Sequence, residues 1–180
     1  SAGISEGRKL LKFDVSTAYL NADTPDKDEA FMTLDPQMSK MLLKCDESGD
    51  FQGAADERGQ VTVKLKKALY GCVQSARLWH NHLSSVLKGL GFEANPVDPC
   101  VFNRKSANGK QCTLAMHVDD GLATCEDLEE LELLDKQIKE KFNNEVKSEV
   151  NCTEFDYLGI MIDTKDGSEA ELTMEKRIKD

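Results

Sequence analysis

The sequence has 180 residues, of which 39% are hydrophobic and 31% charged, a composition typical of a globular domain with a core of its own. No apolar run approaches the ~20 residues that span a bilayer, so we expect no membrane partner. The net charge of −10 argues against strong nucleic-acid binding by this chain alone, although the grouped lysines and arginines leave room for one basic face.

The first half of the chain predicts three strands and a loop. Residues 9–15 form an apolar strand, and residues 29–34 form a short strand that stops at Asp35 and Pro36. Residues 44–59 are polar and rich in glycine, which is typical of a surface loop or a partly disordered insertion. Residues 60–66 alternate strictly between apolar and polar side chains, which indicates a half-buried strand.

The second half predicts two amphipathic helices among further strands. Apolar residues recur at three- and four-residue spacing over residues 75–90, where Gly91 ends the helix, and again over residues 126–142. The remaining predicted elements are strands at residues 100–103, 112–117, 154–163 and 169–174, with turns at residues 106–110 and 165–168. Strands with two helices, and without a βαβ repeat, predict an α+β domain with both helices on one face of a mainly antiparallel sheet.

Two adjacent aspartates carry the strongest chemical signal. Asp119, Asp120 and Gly121 lie between two apolar runs of strand length, so we expect a tight β-hairpin with both carboxylates at its tip. An ordinary turn is the alternative. The strand at residues 9–15 contains a third aspartate, Asp14, and the three carboxylates converge if the two strands are neighbours. Such a cluster needs cations, and hard oxygen ligands select Mg²⁺ or Mn²⁺, as in two-metal phosphoryl transfer.

Four motifs follow one another along the chain. They are FDVSTAYLN at residues 13–21, LYGCVQSARLW at residues 69–79, HVDD at residues 117–120 and YLGI at residues 157–160. In this order they resemble the reverse transcriptases of Ty1/copia-type LTR retrotransposons, from about residue 10 to the C-terminus. The palm of that family is a ferredoxin-like sheet backed by two helices, and the resemblance implies this fold for residues 9–173.

The resemblance also implies a reaction. It is templated DNA synthesis in the parent protein, on an RNA or DNA template, by attack of the primer 3′-hydroxyl on a dNTP with two Mg²⁺ (or Mn²⁺) ions. The implied catalytic residues are Asp14, Asp119 and Asp120. These three residues and Val15 are the implied metal ligands.

Further roles follow from the matched positions. Tyr19 lies where the family carries an aromatic residue that blocks a 2′-hydroxyl, and Lys147 lies near a lysine that protonates pyrophosphate. His117 replaces the tyrosine that usually lies under the primer terminus. The other implied substrate-binding residues are Tyr70, Gly71, Gln74 and Arg77, and the implied primer grip is Tyr157, Leu158 and Gly159. Each role has a structural alternative. Tyr19 is then a core tyrosine, Arg77 an exposed helix arginine, and the hairpin at residues 157–159 an ordinary hairpin.

The resemblance implies that the chain is an isolated palm with weak or no activity of its own. Residues 1–8 are expected to be a cloning remnant and N-terminal extension, and residues 174–180 the truncated start of the thumb. The expected partners are the template with its primer and the rest of the Pol polyprotein, namely fingers, thumb and RNase H. The implied location is intracellular, in a cytoplasmic virus-like particle or in the nucleus, and six cysteines without a C-x-x-C pair predict reduced thiols.

Other functions stay open. A domesticated or relict palm acting as a binding or assembly domain is consistent with the acidic charge and with His117. A nucleotide cyclase or another palm-type phosphoryl-transfer enzyme shares the paired acids, but the signature turn Gly-Gly-(Asp/Glu)-Glu-Phe does not occur. A zinc role for His117 with His80 and His82 competes with purely structural histidines.

Overall fold

The computed structural model describes residues 7–164 and 170–174. In chain order the elements are β1 (Lys9–Val15), β2 (Phe31–Thr33), α1 (Pro36–Cys45), β3 (Thr62–Lys64), α2 (Ser75–Gly89), β4 (Glu93–Ala94), β5 (Val101–Lys105), β6 (Gln111–His117), β7 (Asp120–Cys125), α3 (Leu128–Lys141), β8 (Val146–Val150), β9 (Glu154–Tyr157), β10 (Ile160–Asp163) and β11 (Glu171–Thr173). The chain divides into a larger unit, residues 1–18 with 79–180, and a smaller unit, residues 19–78. Within the described residues, no helix is long and apolar enough to cross a membrane.

The larger unit is built on a sheet whose strands, in the described part of the chain, run in the order β4-β5-β6-β7-β1-β8. Each neighbouring pair is antiparallel. Strand β1 lies between β7 and β8, and its alternating Leu11, Phe13 and Val15 are all buried on one face. The other face of β1 carries Lys12 and Asp14, which are half-buried.

Helix α3 covers the buried face of this sheet. It contacts β1, β7 and β8, and its buried residues Leu131, Leu134 and Ile138 recur at three- and four-residue spacing. Full burial of each such side chain stabilises the fold by roughly 1.5–3 kcal/mol. Because this face is covered, polar chemistry is confined to the opposite face and to the ends of the strands.

Helix α2 ends where its sequence predicts. Gly91 has φ +84, and the N–H of Phe92 donates to the carbonyl of Leu87 at 3.0 Å, as expected for a helix closed by a left-handed glycine. The part of α2 that belongs to the larger unit buries Trp79 and Leu83 in addition to Leu87. Strands β9, β10 and β11 form a separate antiparallel sheet in this unit.

The smaller unit pairs β2 with β3 and adds helix α1. The hydroxyl of Ser39 in α1 donates to the carbonyl of Leu34 and accepts the N–H of Val61, and all three residues are buried. After α1, the carboxylate of Asp46 accepts N–H bonds from Gly49 and Phe51. The polar loop predicted for residues 44–59 therefore begins after Cys45, and it is organised by hydrogen bonds.

The prediction of an α+β chain with mainly antiparallel sheets is confirmed, but the number of helices was wrong. Helix α1 was missed because Asp35 and Pro36 were interpreted as the end of a strand. Asp35 in fact caps the helix, accepting the N–H of Met38 at 2.8 Å, and Pro36 takes the first helical position. Both residues are standard signals of a helix start, so the sequence did contain the information.

The strand predicted at residues 154–163 was also wrong. The chain turns at Leu158 and Gly159, and β9 pairs with β10 as a hairpin. Strands β4 and β8 were not predicted. The turn expected at residues 165–168 lies outside the described residues, as do residues 1–6 and 175–180 of the two predicted terminal segments.

Candidate functional site

The three aspartates of the predicted site come together at one end of the central strands. Asp14 on β1 and Asp120 on β7 are direct partners in the antiparallel register. The N–H of Val15 donates to the carbonyl of Asp119 at 3.0 Å. Because hydrogen-bonded and non-hydrogen-bonded pairs alternate along an antiparallel ladder, the backbones of Asp14 and Asp120 are not hydrogen-bonded to each other. In such pairs the two Cβ atoms lie about 5 Å apart on the same face of the sheet.

The hairpin that carries Asp119 and Asp120, β6 to β7 and here called the acidic hairpin, turns at a different place from the prediction. His117 pairs with Asp120, so the turn residues are Val118 and Asp119, and Asp120 and Gly121 belong to β7. Val118 has φ +56. A β-branched residue rarely adopts this conformation, which costs on the order of 1–3 kcal/mol.

Contacts from outside the acidic hairpin hold this turn. The indole N–H of Trp79 in α2 donates to the carbonyl of Val118 at 2.6 Å. The carbonyl of Asp119 accepts the N–H of Val15, as described above. Sequence reasoning treated Trp79 only as an apolar helix residue, although its position at the end of a recognised motif was a signal.

Gly121 is required for packing and not for the turn. A Cβ atom at this position would lie 2.2 Å from Cζ of Phe13, its partner on β1. Gly121 is therefore covered by the Phe13 ring, and this contact fixes the register that sets Asp120 opposite Asp14.

A row of charged groups crosses the open face of the sheet. The register aligns Lys147 on β8 with Asp14, Asp14 with Asp120, and Asp120 with His117 on β6. Burial of Asp120, followed by the charges of Asp119 and Asp14, raises the pKa of its carboxyl above the ordinary value. The opposing effects of nearby cationic groups are smaller, so the acids repel one another in the absence of a cation.

An open cleft of ≈ 320 Å³ lies over this row. It is lined by Lys12, Asp14, Asp120, Lys147, Ser148 and Glu149. The cleft therefore combines carboxylates with two lysines, which suits a ligand that carries both phosphate groups and divalent cations.

The donor chemistry of the acid cluster fits a divalent cation. Asp14, Asp119 and Asp120 present hard carboxylate oxygens, the ligands that Mg²⁺ and Mn²⁺ prefer. In this conformation, however, no three His, Cys, Asp or Glu side chains of the described residues are arranged to hold one metal ion. Joint coordination by the three acids therefore requires side-chain rotation. The same finding applies to the zinc hypothesis, since His80, His82 and His117 form no such group among the described residues.

The hairpin formed by β9 and β10, here called the tyrosine hairpin, contains the predicted primer grip. Its turn residues Leu158 and Gly159 have φ +54 and +78, and the N–H of Gly159 donates to the carboxylate of Asp156 at 3.2 Å. Burial and, to a smaller extent, the charge of Asp120 raise the pKa of the Tyr157 phenol. The charge of Asp120 therefore acts on the Tyr157 phenol.

The predicted residues of the smaller unit form a group of their own. The rings of Tyr19 and Tyr70 stack with centroids 4.3 Å apart. Arg77 forms an ion pair with Asp28, and Gln74 donates to the carbonyl of the same residue at 3.5 Å. Sequence reasoning did not identify Asp28, which lies 49 residues before Arg77 and outside the quoted motifs.

One more member of the LYG motif has a backbone role. Gly71 has φ +95, a conformation that other residues rarely adopt, and its surroundings are open. The motif therefore forms a tight turn before α2, which begins four residues later at Ser75.

Comparisons with known proteins point in one direction. The sequence matches the family model described as reverse transcriptase (RNA-dependent DNA polymerase) over residues 2–176. The truncated transposon Ty1-A Gag-Pol polyprotein of Saccharomyces cerevisiae is 29% identical over 183 residues, which cover 99% of this chain and 13% of that protein. The transposon Ty1-DR5 Gag-Pol polyprotein of the same yeast is 28% identical over 99% of this chain and 9% of that protein. The chain therefore spans only a small part of the length of these relatives.

Among solved structures, an apo telomerase from Candida tropicalis, truncated from its C-terminal domain, is similar to this chain. The alignment covers 92% of this chain and 35% of the telomerase chain, with 10% sequence identity and a TM-score of 0.48.

Proposed function

Because the chain belongs to the reverse transcriptase (RNA-dependent DNA polymerase) family, we propose that it is the palm domain of a Ty1/copia-type retrotransposon polymerase. The observation that carries this proposal is the pairing of Asp14 with Asp120 on adjacent strands, with Asp119 in the turn beside them. A ferredoxin-like palm has such an antiparallel sheet, covered by helices on one face and open on the other. The parent protein then performs RNA-directed DNA synthesis.

The proposed metal ligands are Asp14, Asp119 and Asp120, with Val15 contributing through its main chain because its side chain has no donor. When bound, two divalent cations such as Mg²⁺ lower the pKa of the primer 3′-hydroxyl and neutralise the triphosphate. The raised pKa of Asp120 supports this assignment, since a bound cation relieves the repulsion among the acids.

In the proposed reaction the primer 3′-hydroxyl loses its proton to solvent, its oxygen forms a bond to the α-phosphorus of the dNTP, and the bond from that phosphorus to the pyrophosphate oxygen breaks. Lys147 faces Asp14 across β1 and β8 and is exposed to the cleft, so we assign it the proton donated to the leaving pyrophosphate. His117 lies at the end of β6 beside Asp120, where we place the primer terminus.

The remaining substrate contacts are proposed from the matched motifs. We assign Tyr19 to the sugar of the incoming nucleotide and the Tyr157, Leu158 and Gly159 turn to the primer. The assigned template and nucleotide contacts are Tyr70, Gly71, Gln74 and Arg77. For Arg77 to bind a phosphate, its ion pair with Asp28 must open, and this has a cost because the Asp28 side chain is only 15% exposed.

Calorimetric titration with Mn²⁺ tests the proposal. We expect Asp14→Asn and Asp119→Asn each to weaken Mn²⁺ binding at least tenfold, because each removes a carboxylate from the same cluster. Asp98→Asn is the matched control, since Asp98 caps a turn before β5 and lies outside the cluster. The absence of Mn²⁺ binding, or binding that neither substitution changes, would contradict the proposal.

Replacement of Asp119 in the parent polyprotein separates this function from a non-catalytic palm. A polymerase loses templated dNTP incorporation in Asp119→Asn and keeps it in Asp98→Asn. A domain retained only for binding or assembly keeps its function in both variants.

A further inference from the structure

The turn of the acidic hairpin depends on contacts from elsewhere in the larger unit. Val118 has φ +56, and 39% of its surface is exposed, so its own side chain does little to hold the turn. Asp119 and Asp120 follow directly in sequence. A rotation of the Val118 peptide would therefore move both carboxylates.

Trp79 provides the contact on the helix side. Its indole N–H donates to the Val118 carbonyl at 2.6 Å, and the residue is only 2% exposed. The indole ring lies 5.6 Å from the Phe142 ring and 6.0 Å from the His82 ring, centroid to centroid, so its orientation is set by packing. A donor held this rigidly fixes the direction of the carbonyl that it binds.

The acids themselves work against this arrangement. Asp14 and Asp120 are opposite each other in the strand register and Asp119 lies beside them, so three like charges are crowded at this turn. A turn without an external tie would relieve both the repulsion and the unfavourable φ of Val118 by rotating. The cluster therefore needs a structural tie before any cation arrives.

We propose that Trp79 is a positioning residue for the acid cluster. Its indole N–H holds the Val118 carbonyl, and this bond keeps the backbone of Asp119 and Asp120 beside Asp14, from where the three carboxylates can turn toward a shared divalent cation. The inference rests on the proposed function for its cation, but the tie itself is a property of the cation-free protein.

A buried tryptophan that merely fills the core is the competing explanation, because buried indoles usually find some acceptor. The two explanations differ in what the N–H does. Replacement of Trp79 by β-(3-benzothienyl)alanine keeps the size and shape of the ring and substitutes sulfur for the N–H. Trp79→Phe is the genetically encoded equivalent. The matched control is Leu87→Ala, which disturbs a fully buried residue of the same helix about 12 Å away along its axis.

Two readouts are measured on each variant of the full chain. The first is hydrogen exchange of the Val15 amide, which reports the Asp119 carbonyl in the cation-free protein, with amides of β5 as internal reference. The second is the Kd for Mn²⁺ from calorimetry. Trp79 is the only tryptophan, so its single indole N–H resonance also reports the tie directly during the titration.

We expect the benzothienyl variant to exchange the Val15 amide about tenfold faster than wild type and to bind Mn²⁺ about tenfold more weakly, while Leu87→Ala changes neither. An unchanged exchange rate of the Val15 amide would show that the Trp79 hydrogen bond does not hold the turn. Faster exchange with unchanged Mn²⁺ affinity would overturn its role in positioning. If wild type and Asp119→Asn both fail to bind Mn²⁺, the proposed function fails and the positioning role with it. The exchange data then still decide whether the tie exists.

Discussion

The acidic hairpin and the tyrosine hairpin both turn over two residues, but their turns are held in different ways. In the tyrosine hairpin, Leu158 and Gly159 both have positive φ, the pattern of the turn that best matches strand twist, and Asp156 binds the N–H of Gly159. In the acidic hairpin, only Val118 of the two turn residues has positive φ, and the turn contains no glycine.

The difference shows where each conformation is encoded. The tyrosine hairpin contains its own turn signal within four residues. The acidic hairpin adopts a costly conformation that is maintained by Trp79 from α2 and by Val15 from β1. A turn held from outside places two successive carboxylates where local preference alone would not put them.

The largest effect is expected from the glycines of the two hairpins. Gly121→Ala places a Cβ atom 2.2 Å from the buried Phe13 ring and should destabilise the fold by about 3 kcal/mol. Gly159→Ala only forces alanine into a positive φ, which costs roughly 1 kcal/mol. Urea unfolding midpoints with constant m-values measure both. Equal losses would show that Gly121 is not under the Phe13 ring.

Removal of the backbone strain gives a smaller effect of opposite sign. Val118→Gly should stabilise the protein by about 1 kcal/mol, since relief of the unfavourable φ exceeds the entropy cost of glycine. Leu158→Gly should be close to neutral, because relief of the positive φ is offset by the apolar area that the larger leucine buries, although 37% of Leu158 is exposed. Thermal and urea unfolding of the two variants make the comparison. A loss of stability in Val118→Gly would indicate that the turn is not strained.

The pH dependence of stability tests the repulsion among the acids. In the folded protein the pKa of Asp120 lies above its ordinary value of 3.8. The folded state therefore binds more protons than the unfolded state between these two pKa values, and stability falls as pH rises through that interval. Asp120→Asn removes this loss, and we expect its gain in Tm over wild type, measured in a chelator, to be larger at pH 7 than at pH 3.

Asp46 provides a control of opposite sign. Hydrogen bonds, first of all from the Phe51 N–H, lower the pKa of its carboxyl, so the stability that it contributes is present above 3.8 and lost as pH falls through the folded-state pKa. Asp46→Asn should therefore lower Tm at pH 7 and not at the acid end. If the Tm difference from wild type varied with pH in the same way for both variants, the opposite pKa shifts assigned to Asp120 and Asp46 would be refuted.

The smallest expected effect concerns the influence of the Asp120 charge on Tyr157. The charge of Asp120 contributes to the raised pKa of Tyr157, after burial. Asp120→Asn should lower that pKa, as followed by NMR of the Tyr157 ring carbons during a pH titration. An unchanged pKa of Tyr157 in this variant would show that the charge of Asp120 does not act on the tyrosine hairpin.

Local patterns were sufficient for several elements. Strand β1 coincides with its prediction because alternation of Leu11, Phe13 and Val15 is specific to one buried face of a strand. Helix α2 was predicted to within a residue because its apolar spacing and Gly91 are both encoded within the helix and its end. Helix α1 was predictable from Asp35 and Pro36, and the error there was one of interpretation.

The turn of the acidic hairpin was not predictable in the same way. Turn statistics favour Asp-Asp-Gly, and they placed the turn at residues 119–121. The register is set instead by Phe13, which lies more than a hundred residues earlier and accepts only glycine beneath its ring. Long-range packing therefore overrode the local preference.

The sequence by itself determined which aspartates are candidate site residues and which family the chain belongs to, because the order of motifs along the chain is a property of the sequence alone. The tertiary structure alone decided that Asp14 faces Asp120, that Lys147 lies across from Asp14, and that Trp79 holds Val118. The physical reason is that strand register and buried hydrogen bonds depend on how distant side chains fit together, and a single sequence does not state that fit.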